Sequence, residues 1–430
     1  MRILKQKELT SRDLHDLQVR SSTDFSDIQG SVGAILKDVV ENRDKAVRRL
    51  TLAWEGVNLP QFAVSEEEFD RAERQLGPDV QAAIGGAAES LLSFHRQQLP
   101  LPAEVETKQG VRCRLEWRAI ESVGLYIPGG SAPLLSTVLM LGVPATLAVC
   151  PSVILCTPPR TDGSVSPGIL YAAKSLGMKR VFKIGGAQAI AAMAVGTESV
   201  PKVRKIFGPG NRYVTAMKGQ IANPPYSVAI DMLAGPSELL IIADASARAE
   251  WIAADLLSQA EHGVDSPVVL VTTSASLASE VDRSVATQML SLPRRSIVER
   301  ALQKCYVLVA ETLDGAIDFS NSYAPEHLIL AVRDAETYSS RITNAGSVFL
   351  GAMTSVVFGD YASGTNHTLP TGGTAVSTGG LTIGDFMKPI FFQTVDSQGL
   401  VSLSTTVKTL AREEGLEAHA RAVEVREVAQ

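Results

Sequence analysis

Four of the six histidines fall after residue 260, each beside groups that could do chemistry with it. Gln259 and His262 stand three apart at the end of a helical stretch, SQAEHG, and so project from one helix face. Such a pair can share a metal ion or serve as a plain surface or capping pair. Glu326 and His327 lie side by side in APEHL and open the apolar run HLILAV. They put a base at a strand end, where ligands gather in α/β sheets, and offer acid and base groups of different pKa. A polar turn kept in solvent is the alternative. Asp360, after a strand-like run in GDYASGTNH, offers a hard oxygen, while His367 in the same loop is expected to hydrogen-bond the loop's own backbone. EEGLEAH sets Glu414 before the Gly415 break and His419 in the last helix. Taken together, Gln259, His262, Asp360 and His419 make a nitrogen and oxygen set for one divalent ion. Zinc is the first choice, because imidazole suits it and no thiolate is needed. Glu326 and His327 would stand beside it as acid/base groups. His15 and His95 lie in charged helical stretches and read as solvated surface.

The elements that must position these groups follow from the hydrophobic period. Up to about Leu99 the pattern is helical and charged, with apolar residues three and four apart. From about Arg112, short apolar runs alternate with helical stretches: SVGLYIP, SVILCTPP, RVFKIG, KIF, ELLIIAD, SPVVLVTT, CYVLVA, HLILAV and SVFL. Strands that are nearly all apolar, alternating with helices, predict parallel sheets covered on both faces and an α/β fold. Roughly a dozen strand candidates are too many for one comfortable sheet, so two are expected. GPGNRYV, IPGGSAP and IGGAQA are glycine-containing turns between strand and helix that could approach a nucleotide closely, although no complete GxGxxG or P-loop is present. From Gly359 a Gly/Ser/Thr-rich stretch reads as a functional loop or linker, since it cannot pack a core of its own. Two helices, split at Gly415, end the chain.

Composition excludes several classes. The formal charge is -6 and no basic run exists, so a nucleic-acid partner is not expected. The four cysteines form no CxxC and point to reduced thiols in a cytoplasmic setting, buried and inert near strands. The N-terminus MRILKQKELTSRDLH lacks the apolar core of a secretory signal. From Ser122 to Pro159 no residue is charged, but six prolines interrupt the stretch, so buried strands and a buried helix fit it better than a membrane span.

LYIPGGSAPLLSTVLML, IGGAQAIAAMAVGTESVPKVRKIFGPGN, DMLAGPSELLIIAD, DLLSQAEHG, PEHL, GSVFLG and GDYASGTNHTLPT resemble histidinol dehydrogenase, over nearly the whole chain from about residue 20. The resemblance implies oxidation of L-histidinol to L-histidine through an aldehyde, with two NAD reduced and one zinc per subunit. It implies zinc and substrate ligands at Gln259, His262, Asp360 and His419, and an acid/base pair at Glu326 and His327, the latter also touching substrate. Ser237 and Glu414 match substrate-binding positions, and Tyr126, Gln188 and Asn211 match NAD contacts. It further implies a homodimer with intertwined subunits, in which His419 and Glu414 complete the partner's site. The implied fold has two incomplete Rossmann-like domains, one from residues 21–125 and 235–377 and one from residues 126–234. Helical extensions are implied at 1–20 and 378–430. A zinc hydrolase is the rival reading from another class; it needs no NAD and leaves the turns at Gly129, Gly186 and Gly210 unexplained.

Overall fold

The computed structural model describes residues 1–20, 25–129 and 133–428, so part of the turn IPGGSAP lies outside the described residues. The described strands are β1 (Arg2–Lys5), β2 (Ala103–Lys108), β3 (Val111–Ala119), β4 (Ser122–Tyr126), β5 (Ser152–Thr157), β6 (Val181–Lys183) and β7 (Lys205–Phe207). They continue with β8 (Ala229–Ile230), β9 (Leu239–Ala243), β10 (Val268–Thr272), β11 (Tyr306–Val309), β12 (His327–Ala331), β13 (Ser347–Leu350) and β14 (Met387–Val395).

Two parallel sheets form the frame, as the apolar strands predict. The larger has the order β1-β11-β10-β9-β12-β13, and the smaller β6-β5-β4-β7-β8. Every residue of β9, β10 and β12 is buried, which is what a parallel sheet covered on both faces demands. In the smaller sheet, alternate residues go to opposite cores. Ile154 and Cys156 of β5 meet one set of helices, and Leu155 between them meets the other.

Three features differ from expectation. The helices between residues 29 and 96, expected to belong with residues 235–377, pack on the smaller sheet instead. The stripe Val32, Ile35, Leu36 and Val39 of the helix Gln29–Glu55, which is kinked at Arg43, shares a core with the alanine-rich helix Gly186–Val195. Small side chains there let the two helices approach closely. The N-terminal extension is not wholly helical: β1 pairs with β11 as an edge strand of the larger sheet. The helix Ser11–Gln18 follows it, started by a capping box between Thr10 and Asp13.

The third difference is an antiparallel sheet, β14-β3-β2. Its strands were hidden because Arg112, Arg114, Glu116 and Arg118 alternate with Cys113, Leu115 and Trp117, the pattern of a strand with one wet face rather than an apolar run. The C-terminal helices Ser397–Glu413 and Glu417–Glu427 form a hairpin at Gly415, as expected, tied by Lys408 to Glu427 at 2.7 Å and by Arg412 to Glu417 and Glu424. Among the described residues no helix is long and apolar enough to cross a membrane.

Candidate active site

Parallel pairing in register, His327 against Leu239, sets Glu326 beside Glu238 at the amino ends of β12 and β9. The expected acid/base pair therefore does open a strand. It sits, however, at the end opposite to the carboxyl ends where α/β sheets usually bind ligands. The helix Ala249–Ala260 runs back along β9 and brings Gln259 to the same place. Gln259 Nε2 donates to Ser237 Oγ at 2.7 Å, and Ser237 Oγ donates to Glu326 Oε2 at 2.6 Å. The Glu238 amide donates to that same oxygen at 2.8 Å. All four side chains of this relay's core, Gln259, Glu326, His327 and Glu238, are at most 5% exposed.

His327 is held as a base. Its Nδ1 lies 3.0 Å from the Glu238 carbonyl, which can only accept, so Nδ1 carries a hydrogen and Nε2 is the nitrogen left to exchange a proton. Nε2 is buried without a hydrogen-bond partner, 3.8 Å from Asp360 Oδ1. Burial pulls the ring's pKa down, but the carboxylates of Glu326 and Asp360 outweigh it and lift it to about 9. Asp360 sits in the short helix Val356–Tyr361, not directly after a strand.

Glu238, which nothing in the sequence singled out, braces the pair from behind. Its Oε1 accepts from Arg20 Nη1 at 2.9 Å, from the Gly372 amide at 3.2 Å and from the Glu326 amide at 3.3 Å. Arg20 in turn stacks 3.9 Å over the Tyr323 ring. A lone glutamate before the apolar run LLIIA was the one available signal. Burial pushes the Glu238 carboxyl from its ordinary 4.5 up to about 7, against the pull of Arg20. The folded state then keeps a proton that the unfolded chain has lost, so the associated stability is present below about pH 4.5 and is lost as pH rises through about 7. Denaturant midpoints at pH 5 and 8 should show this decline in the natural chain and a flatter one in Glu238→Gln. An unchanged decline would reject Glu238 as its source.

The loop after Asp360 is no surface linker, because residues 366 and 368–371 are buried. His367 Nδ1 lies 2.9 Å from the Asp360 carbonyl, the expected bond to the loop's own backbone, and its Nε2 lies 3.2 Å from Thr137 Oγ1. Asn366 donates to the Met140 carbonyl at 2.7 Å and lies 3.4 Å from His95 Nε2. His95 is wholly buried rather than solvated, because it faces this loop. His15 is exposed, as expected.

The donor set suits a divalent ion. Gln259 Oε1 is buried with no partner, its amide nitrogen being spent on Ser237. Such an orphaned carbonyl oxygen, three residues before the exposed His262, is a donor left over for a ligand. Among the described residues no three His, Cys, Asp or Glu groups are assembled for a metal. Glu414 and His419 stand exposed on the C-terminal hairpin, where Lys408 and Arg412 pair with Glu427, Glu417 and Glu424 of the same hairpin.

A second crevice lies on the smaller sheet. Strand order reverses at β4, with β5 and β6 on one side and β7 and β8 on the other, so the carboxyl ends of β4 and β7 flank the switch point where such sheets bind nucleotides. Tyr126 ends β4, and its hydroxyl accepts from the Gly186 amide at 3.0 Å. Asn211 caps the helix Arg212–Ile221 with Oδ1 and keeps Nδ2 as a donor. Gln188 is fully buried with both amide atoms unpartnered. Gly208 has φ +120, and a Cβ there would stand 2.1 Å from the Tyr126 carbonyl, so only glycine lets the turn pass. Fit to a dinucleotide rests on these orphaned and unclothed groups.

Lys218 and Asp231 clamp that turn. Lys218 donates to the Gly208 carbonyl at 2.9 Å, the Gly208 amide donates to Asp231 at 2.7 Å, and the two side chains form an ion pair buried to 2% and 1% exposure. Lys218→Met should cost about 3–5 kcal/mol, since it strands a buried carboxylate. Urea unfolding measures it, and a loss under 1 kcal/mol would reject the clamp.

The cysteines are all free among the described residues. Cys156 and Cys305 are buried as expected, whereas Cys113 and Cys150 are half-buried. Burial pushes the thiols of Cys150 and Cys305 up to about 11, and Cys156 further, which suits inert groups rather than nucleophiles.

A family model described as histidinol dehydrogenase matches residues 18–427. The chain belongs to the histidinol dehydrogenase family. Among curated relatives, histidinol dehydrogenase of Mannheimia succiniciproducens is 45% identical over 427 residues, covering 99% of either chain. That of Xanthomonas oryzae pv. oryzae is 50% identical over 398 residues, 93% of this chain and 92% of the relative. The crystal structure of histidinol dehydrogenase from Elizabethkingia anophelis superposes with a TM-score of 0.96 at 45% identity, covering 100% of this chain and 98% of that one. Membership of the histidinol dehydrogenase family makes this chain an oxidoreductase, and the two-sheet frame is that of the family.

Proposed function

We propose that the chain oxidises L-histidinol to L-histidine through the aldehyde, reducing two NAD, as a zinc-dependent homodimer in the cytoplasm. The reaction would close histidine biosynthesis. The observation that carries this reading is the buried Glu326–His327 pair, whose imidazole has one nitrogen tied to a carbonyl and the other left to exchange a proton beside Asp360.

When bound, zinc on Gln259, His262, Asp360 and the partner subunit's His419 would hold the substrate's nitrogens, and NAD on Tyr126, Gln188 and Asn211 would take up hydride. The rest is done by side chains. His327 Nε2 receives the hydroxyl proton as hydride leaves the carbinol carbon. The carboxylates of Glu326 and Asp360 favour the imidazolium that this step forms. Glu326 takes a proton from water as that water adds to the aldehyde, and the hydrate can then lose a second hydride. Ser237 and Gln259 hold the Glu326 carboxylate toward that work. Ser237 and the partner subunit's Glu414 would contact the substrate itself. The thiolate route used by many aldehyde oxidations finds no support in the raised thiols of Cys150 and Cys305.

NADH yield from a limiting, known amount of L-histidinol tests the reading. Two NADH per substrate, lost to a chelator and restored by zinc, is the expected result. One NADH would remove the role given to Glu326, and none would remove the substrate.

A further inference from the structure

Glu55 ends the helix Gln29–Glu55, and its carboxylate is partly buried with no ion pair among the described residues. Burial alone lifts its pKa; no cation or donor offsets it. A Cβ on Gly185 would stand 2.7 Å from Glu55 Oε1 and 2.5 Å from Pro158 Cβ, so the carboxylate lies against the turns that follow β5 and β6. The Tyr126 hydroxyl at the end of β4 also feels its charge. Gln188, with both amide atoms buried and unpartnered, borders the same place: its Oε1 lies 2.6 Å from where a Cβ on Gly186 would stand.

These groups surround the carboxyl ends of β4, β5 and β6, the half of a doubly wound sheet where the adenosine part of a dinucleotide lies. In such sheets an acidic residue at the end of the second strand usually accepts from the ribose 2′-hydroxyl. Here the second strand, β5, ends in Thr157, Pro158, Pro159 and Arg160, with no acid. Arg160 is engaged beside Asp162, whose carboxyl it helps to hold down. The unused carboxylate arrives instead from the helix that crosses over Pro158.

We infer that Glu55 accepts the hydroxyls of the adenosine ribose and thereby selects NAD over NADP. Two carboxylate oxygens match a vicinal diol, each hydroxyl donating one hydrogen. A 2′-phosphate would instead bring further negative charge against an unbalanced carboxylate. This inference rests on the proposed use of NAD.

Isothermal calorimetry on the full-length chain, without turnover, compares NAD, NADP and the dinucleotide with 2′-deoxyadenosine. The natural chain should bind NAD about 10-fold or more tighter than either analogue, the scale of one charge-assisted hydrogen bond. Glu55→Gln, with its melting temperature checked, should bring both preferences within about 3-fold. The deoxy comparison needs no variant. Equal binding of NAD and its deoxy analogue by the natural chain, or an unchanged NADP ratio in Glu55→Gln, overturns the role of Glu55 while leaving NAD use intact. A natural chain that binds none of the three overturns the NAD reading and this inference with it.

Discussion

His327→Asn should lower kcat for L-histidinol oxidation by ~10²–10⁴-fold, the usual worth of a positioned base, with little change in KM. Asparagine can still donate to the Glu238 carbonyl as Nδ1 does, so the buried strand end keeps its hydrogen bond. What it lacks is a titratable nitrogen beside Asp360. Steady-state rates, read together with the melting temperature, separate loss of the base from loss of the fold. A folded variant within 10-fold of the natural kcat would remove His327 from the chemistry.

The second large effect is a gain. His327→Asn and His419→Ala subunits, each nearly inactive alone, should recover about a quarter of the natural activity when co-refolded in equal amounts. The reason lies in the exposed hairpin that carries Glu414 and His419, stapled to itself through Lys408 and Arg412. If the proposed homodimer takes His419 from the partner, one site of a mixed dimer would carry both lesions and the other none. Half of the dimers are mixed and half of their sites are whole. Recovery no greater than the sum of the two residual activities would place His419 in its own chain's site.

Much of this was legible in the residues. Glu326 and His327 are neighbours in sequence, and Gln259 and His262 share one helix end, so local spacing alone suggested them. Fully apolar strands announced both parallel sheets. Contacts between distant positions were not visible. Glu238 meets Arg20 across 218 positions and Glu326 across 88. His95 looks solvated until residue 366, 271 positions on, is brought against it. The antiparallel sheet escaped because β3 alternates charge with Cys113, Leu115 and Trp117, a pattern that has no meaning until one face is covered. The rule that places ligands at carboxyl ends agrees with the proposed NAD crevice on the smaller sheet, whereas Glu326 and His327 stand at the amino end of β12 in the larger.

If the reaction runs at the amino ends, as proposed, the carboxyl ends of the larger sheet are left without a part in it. At the carboxyl ends of β9 and β12, Asp244 accepts from Ser246 and from the Arg333 amide and so draws the two exits together. The cavity against that face, between Ile241, Trp251 and Ile329, is about 10 Å³, too small for more than a single water. On that proposal, the side that carries the reaction in most α/β enzymes would here be the side free to drift. Insertions, fusion partners and sequence change among homologues should accumulate in the loops after β9 and β12, while the amino-end loops stay fixed.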